Sequence, residues 1–229
     1  MKLKLNQYSN SLTEAQIAAG MNAAVRNAAR LLDDANILLQ ASRFPSAAAL
    51  AILSIEESGK VSILREMALT KNADEAAKTW KRYRSHTQKN VAWLLPQLVA
   101  SGARRLDEFR ALFDTESGHP HLLDQVKQIA FYTDCLGQAN WSEPSAVIDE
   151  GLARQLLTIA GVFSRKPEVT VQEIELWVKH LKPAWPGPAD WMKKALLNWR
   201  AAMKQAGLAS GDAGWEEFLQ SSGVPGRDA

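Results

Sequence analysis

The stretch from Ala47 to Met67, AAALAILSIEESGKVSILREM, limits what this chain can fold into more than any other. Its opening is almost wholly apolar, and a helix that is apolar all round belongs in the core of a bundle. The segment therefore predicts a central helix with an all-α architecture packed around it. It then places Glu56, Glu57 and Lys60 within one turn. Buried carboxylates persist only when paired or hydrogen-bonded. On a helix Glu56 and Lys60 are i,i+4 neighbours and Glu57 and Lys60 are i,i+3, so Lys60 projects between the two acids. Two readings stay open at this point: a solvated helix end where charge takes over from core, and a polar cluster at the inner edge of the bundle.

The flanking segments supply partners for that helix. Thr13 followed by Gln16 is a capping-box pattern, and a helix is predicted over Thr13–Ala41 with Ile17, Met21, Ala24, Ala28, Leu31 and Leu32 along one stripe. Arg43 to Ser46 is a short turn with Pro45 near the start of the next helix, so the first two helices are expected to be antiparallel neighbours. A third helix is predicted over Asp74–Ala100, weakened near its end by Pro96. Read as one helix, it gathers Arg82, Tyr83, His86, Lys89, Asn90 and Trp93 on one face. A lone helical histidine is ordinarily a surface or core residue, and only its neighbours single out His86.

Further along, a short helix is expected over Arg104–Phe113, a break over Asp114–Pro120, a helix over Leu122–Ala130, a turn-rich excursion over Phe131–Pro144 and a helix over Ala146–Phe163. His119 and His121 flank Pro120 and read as loop residues, not a metal pair. Past Ser164 four prolines punctuate two more helices, Val171–Leu181 and Ala189–Ala206. Trp177, Trp185, Trp191 and Trp199 lie there and are expected to anchor this part onto the bundle, since short helices are marginal without packing. The chain thus divides into a bundle over residues 8–165 and a C-terminal helical extension over 166–229.

A net charge of +2 leaves no large basic surface, so any contact with RNA must be local. The single cysteine, Cys135, excludes an internal disulfide and a cysteine-built metal site, and fits a reducing cytoplasm. The opening MKLKLNQ is too short and polar for a secretory signal, and no run approaches the roughly 18 apolar residues that span a bilayer. The chain is therefore expected to be cytoplasmic, away from membranes, and without cofactor or metal. Ser58-Gly59-Lys60 lacks the upstream glycine of a phosphate loop.

Three phrases carry a family resemblance: LAILSIEESGK (Leu50 to Lys60), RYRSHTQK (Arg82 to Lys89), and VKQIAFYTD with WSEP (Val126 to Asp134, Trp141 to Pro144). Together they resemble the AbiV family of bacterial abortive-infection proteins, which block phage multiplication and belong to the HEPN superfamily of helical bundles. The resemblance implies a HEPN-like antiparallel bundle, and a homodimer, since such bundles commonly pair. Many HEPN proteins are metal-independent ribonucleases with an Arg-x4–6-His motif on one helix. This chain departs from that pattern: the nearest arginines upstream of His86 are Arg84 and Arg82, and no such spacing occurs. What the resemblance carries over instead is Glu56, Glu57, Lys60 and His86, with Lys89 a weaker match.

Those residue types suit RNA cleavage, in which one group takes the proton of a ribose 2′-hydroxyl and another stabilises the anionic phosphorane. A histidine fits the first task and Arg82, Lys60 or Lys89 the second, with Glu57 orienting the imidazole and Tyr83 or Trp93 stacking on a base. They equally suit a structural network in which His86 and Lys60 neutralise two half-buried glutamates. The function expected is an antiphage effector that interferes with translation by binding a phage or host protein, with a ribonuclease as the alternative. A helical scaffold without defence chemistry is the contrasting class. In every version a carboxylate of Glu56 or Glu57 is expected to contact His86 or Lys60.

Overall fold

The computed structural model describes residues 6–105, 108, 118–164, 167–211 and 214–219. Helix α1 (Glu14–Gln40) starts as the sequence predicts. The Gln16 N–H donates to Thr13 Oγ1 at 3.2 Å and the Thr13 N–H donates to Gln16 Oε1 at 3.0 Å, closing the capping box. Helix α2 (Phe44–Met67), with Pro45 in its first turn, lies against it. Ala47, Ala48, Ala49 and Ala51 are wholly buried, and side chains this small let neighbouring helices approach closely. The buried Ser54 hydroxyl donates to the Ala28 carbonyl at 2.7 Å, which satisfies a polar group inside the interface. Helices α6 (His119–Phe131) and α8 (Glu150–Ser164) complete the core, packing Leu123, Ala130, Leu156 and Leu157 against Ile52 and Ile55. Among the described residues the fold is all-α apart from one hairpin, and α2 is its central element.

The long third helix is not continuous. The chain forms α3 (Ala73–Arg84), α4 (His86–Lys89), a 3-10 turn over Val91–Leu94 and α5 (Leu95–Ala100). Ser85 is extended, at φ −77° and ψ 133°, and its Oγ accepts from the Gln88 N–H at 3.5 Å. Serine competes for backbone donors in this way, which favours a new helix start over continuation of the old one. The helix expected over Ala146–Phe163 is likewise divided into α7 (Pro144–Val147) and α8, and Asp149 Oδ1 accepts from the Leu152 N–H at 2.8 Å where α8 begins. His119 and His121 are in the first turn of α6 and not in a loop. Most of the helix expected over Arg104–Phe113 lies outside the described residues. The turn-rich excursion contains β1 (Asp134–Leu136) paired antiparallel with β2 (Asn140–Ser142), Cys135 opposite Trp141. Cys135 is exposed and free.

Helix α9 (Val171–Leu181) matches its predicted bounds, and α10 (Ala189–Gln205) and α11 (Trp215–Leu219) follow. Ile174 of α9 enters a cluster with Ile17, Met21, Val61 and Leu64. Asn22 bonds the Val169 backbone in both directions, at 2.9 and 2.8 Å. The Trp177 indole N–H donates to the Arg65 carbonyl at 3.0 Å, and the Arg65 guanidinium lies 5.2 Å from the Trp177 ring and 5.7 Å from that of Trp199. Burial lowers the pKa of Arg65, and Glu173 nearby partly counters it. Trp177 and Trp199 therefore anchor the extension, whereas Trp191 is 65% exposed and does not. Among the described residues no helix is long and apolar enough to cross a membrane.

Candidate functional site

Three elements converge on one carboxylate. Helix α2 brings Glu56, helix α4 brings His86 and Lys89, and helix α6 brings Asp124 and Lys127. What lets α4 come so near is Gly59. A Cβ built there would sit 2.0 Å from the Lys89 carbonyl oxygen and 2.9 Å from its carbon, so the two backbones touch where only glycine fits. The break at Ser85 frees α4 to turn onto that spot.

Glu56 is 2% exposed. Its Oε1 accepts from Lys127 Nζ at 2.6 Å, and its Oε2 lies 2.7 Å from His86 Nδ1 and 3.5 Å from Lys89 Nζ. An ionised carboxylate only accepts, so His86 donates its Nδ1–H to Glu56, and Nε2 lies on the opposite side of the ring. The imidazole itself is 60% exposed. Lys127 is 4% exposed and also lies 2.8 Å from Asp124 Oδ1. Asn90, next to Lys89, is fully buried, and neither Oδ1 nor Nδ2 has a hydrogen-bond partner among the described residues.

The two buried lysines respond oppositely to their surroundings. Burial lowers the pKa of Lys89, and Glu56 opposes that only in part. Burial also works against the Lys127 ammonium, but the Asp124 and Glu56 carboxylates beside it outweigh that and raise its pKa above the ordinary 10.5. A lysine whose folded pKa is raised contributes stability that is complete below its unfolded value and is lost as the pH climbs through the folded one. The stability gap between wild type and Lys127→Met should therefore stay flat from neutrality to about pH 10 and close above it, as measured by denaturant unfolding.

The expected contact is present, made by Glu56 to His86. Glu57 does not orient the imidazole as the sequence suggested. It pairs with Lys60, whose ammonium lies 5.2 Å from the centroid of the Tyr83 ring. Arg82 pairs with Glu66 and is not drawn into the Glu56 cluster. The aromatic Trp93 is turned to α6, its indole N–H donating to the His119 carbonyl at 3.1 Å. Lys127 and Asp124 were missed. The signal was an acid and a lysine at i,i+3, with the lysine on the same side of α6 as Leu123 and Ala130, where a solvated lysine does not belong.

A helical bundle with a half-open imidazole held by a buried glutamate is thus the class that fold and site define. The chain belongs to the HEPN_AbiV family: the family model, described as AbiV, matches residues 16–165, which include every residue of the cluster. It is therefore a member of an abortive-infection family with a HEPN-type helical fold. No curated protein and no solved structure matches the chain.

Proposed function

We propose that this chain is an antiphage effector that blocks phage multiplication by engaging a phage or host partner, with translation as the process affected, and that the exposed edge of His86 belongs to the contact surface. One observation carries the choice of binding over cleavage. The lysines gathered here already face carboxylates: Lys60 faces Glu57, and Lys89 and Lys127 face Glu56, while Arg82, outside the cluster, faces Glu66. A phosphorane needs a cation to meet it, and the lysines that close on Glu56 and Glu57 are already engaged by carboxylates. The imidazole, by contrast, is held by Glu56 at Nδ1 while its side chain is 60% exposed.

The ribonuclease reading keeps one specific support, the Glu56–His86 pair, since a buried carboxylate holding an imidazole is how a general base is commonly oriented. Induction in cells under phage challenge, followed by sequencing of RNA 5′ and cyclic-phosphate ends, separates the two. Binding predicts a fall in radiolabelled protein synthesis with no new RNA ends. New ends that vanish in His86→Gln would establish cleavage instead. Unimpaired protein synthesis throughout would support neither and favour an inert scaffold.

A further inference from the structure

Glu56, His86 and Asp124 each offer one ligand atom, and the three atoms lie within 4.8 Å of one another. Carboxylate, imidazole and carboxylate converging from three separate helices match the donor set of a divalent transition metal. A metal held here would have to share the space with Lys127. Its Nζ is 2.6 Å from Glu56 Oε1 and 2.8 Å from Asp124 Oδ1, between the two acids, and the side chain is only 6% exposed. Lys89 adds a second ammonium 3.5 Å from Glu56 Oε2. Two ammonium groups this close repel an incoming dication strongly wherever water is excluded.

We infer that Lys127 is the resident cation of the site, its ammonium filling the position a divalent ion would take between Glu56 and Asp124 and, through Glu56, positioning the imidazole of His86. The lysine comes from α6, covalently tethered, so the position is occupied whatever the metal supply. It satisfies one oxygen of Glu56 and turns the other toward His86, the arrangement second partners give to metal-bound carboxylates and histidines. Lys127 is thus a positioning residue that acts through Glu56, and it does not touch a partner itself. Its functional consequence rests on the reading of His86 given above, but its geometry does not.

The test removes the ammonium and asks whether a metal replaces it. Wild type, Lys127→Ala and Lys127→Asn are titrated with Mn2+ while the ring signals of His86 are followed by NMR, where a bound paramagnetic ion broadens them. Thermal melting is recorded with and without the ion. The expected result is that either variant binds Mn2+ at His86 about tenfold or more tightly than wild type does. The melting temperature of the variants should rise with Mn2+ while that of wild type stays put, and adding Asp124→Asn should abolish the gain. Three results would overturn the inference: wild type binding Mn2+ at His86 as well as the variants do, neither variant gaining affinity, or Mn2+ failing to stabilise either variant. Phage protection is not part of this readout. A His86→Gln protein that still protects cells would defeat the proposed function and leave the cation assignment standing.

Discussion

Gly59→Ala should destabilise the protein by about 3 kcal/mol, against the sign that helix propensity alone would give. In an exposed helix interior, glycine to alanine gains roughly 1 kcal/mol because the unfolded chain loses freedom. At Gly59 the added methyl would meet the Lys89 backbone at 2.0 Å, and backbone cannot rotate out of the way as a side chain tip can. Either α4 moves off α2, or α2 bends, and both separate His86 and Lys89 from Glu56. Gly161, within α8, is the control, because a Cβ there meets nothing within 4 Å. Gly161→Ala should be neutral or stabilising by up to about 1 kcal/mol. Denaturant unfolding of both variants reads the difference directly, and a Gly59→Ala protein as stable as wild type would mean that α4 does not lie against α2.

The second large effect is expected from Glu56→Ala. Removing this carboxylate leaves Lys127 with Asp124 alone and leaves the buried Lys89 without its nearest counter-charge. Breaking one side of a buried ion pair costs about 3–5 kcal/mol, because the remaining charge stays desolvated. For a chain of this size that corresponds to a fall in melting temperature of roughly 10 °C. Glu57→Ala is the comparison. Glu57 and Lys60 are each partly solvent-exposed, at 17% and 18%, so water can take up the freed ammonium and the loss should be much smaller. Equal losses from the two glutamates would contradict the central place given to Glu56.

The elements that were readable in the sequence are those decided by local pattern. The capping box at Thr13, the apolar opening of α2 and the bounds of α9 follow from periodicity and cap residues, and the structure keeps them. The break at Ser85 was also written locally: Ser85-His86-Thr87-Gln88 has the spacing of a helix start, but the surrounding helical periodicity masked it. Treating Asp74–Ala100 as one helix put Arg82, His86 and Trp93 on a common face, and the break dissolves that face, sending Arg82 to Glu66 and Trp93 to α6. Glu56 and His86 were recoverable because an acidic pair closing an apolar helix is out of place unless something neutralises it. Lys127 was not, because its contact with Glu56 spans 71 positions and no local period encodes it. The choice between Glu56 and Glu57 as the partner of His86 depended on how far α2 is rotated about its axis, which packing against α6 and α8 decides.

The proposed function places the exposed side of His86 in the contact surface while Glu56 holds the ring at Nδ1. The most direct measurement is phage plating on cells that express wild type or His86→Gln at equal levels, with the melting temperatures of the two purified proteins compared. The imidazole is largely solvent-exposed, so the substitution should leave the fold nearly as stable as before. Protection should be lost at a melting temperature within a few degrees of wild type. Full protection by His86→Gln at unchanged stability would contradict the proposed function, and would reduce the cluster to a structural network inside the bundle.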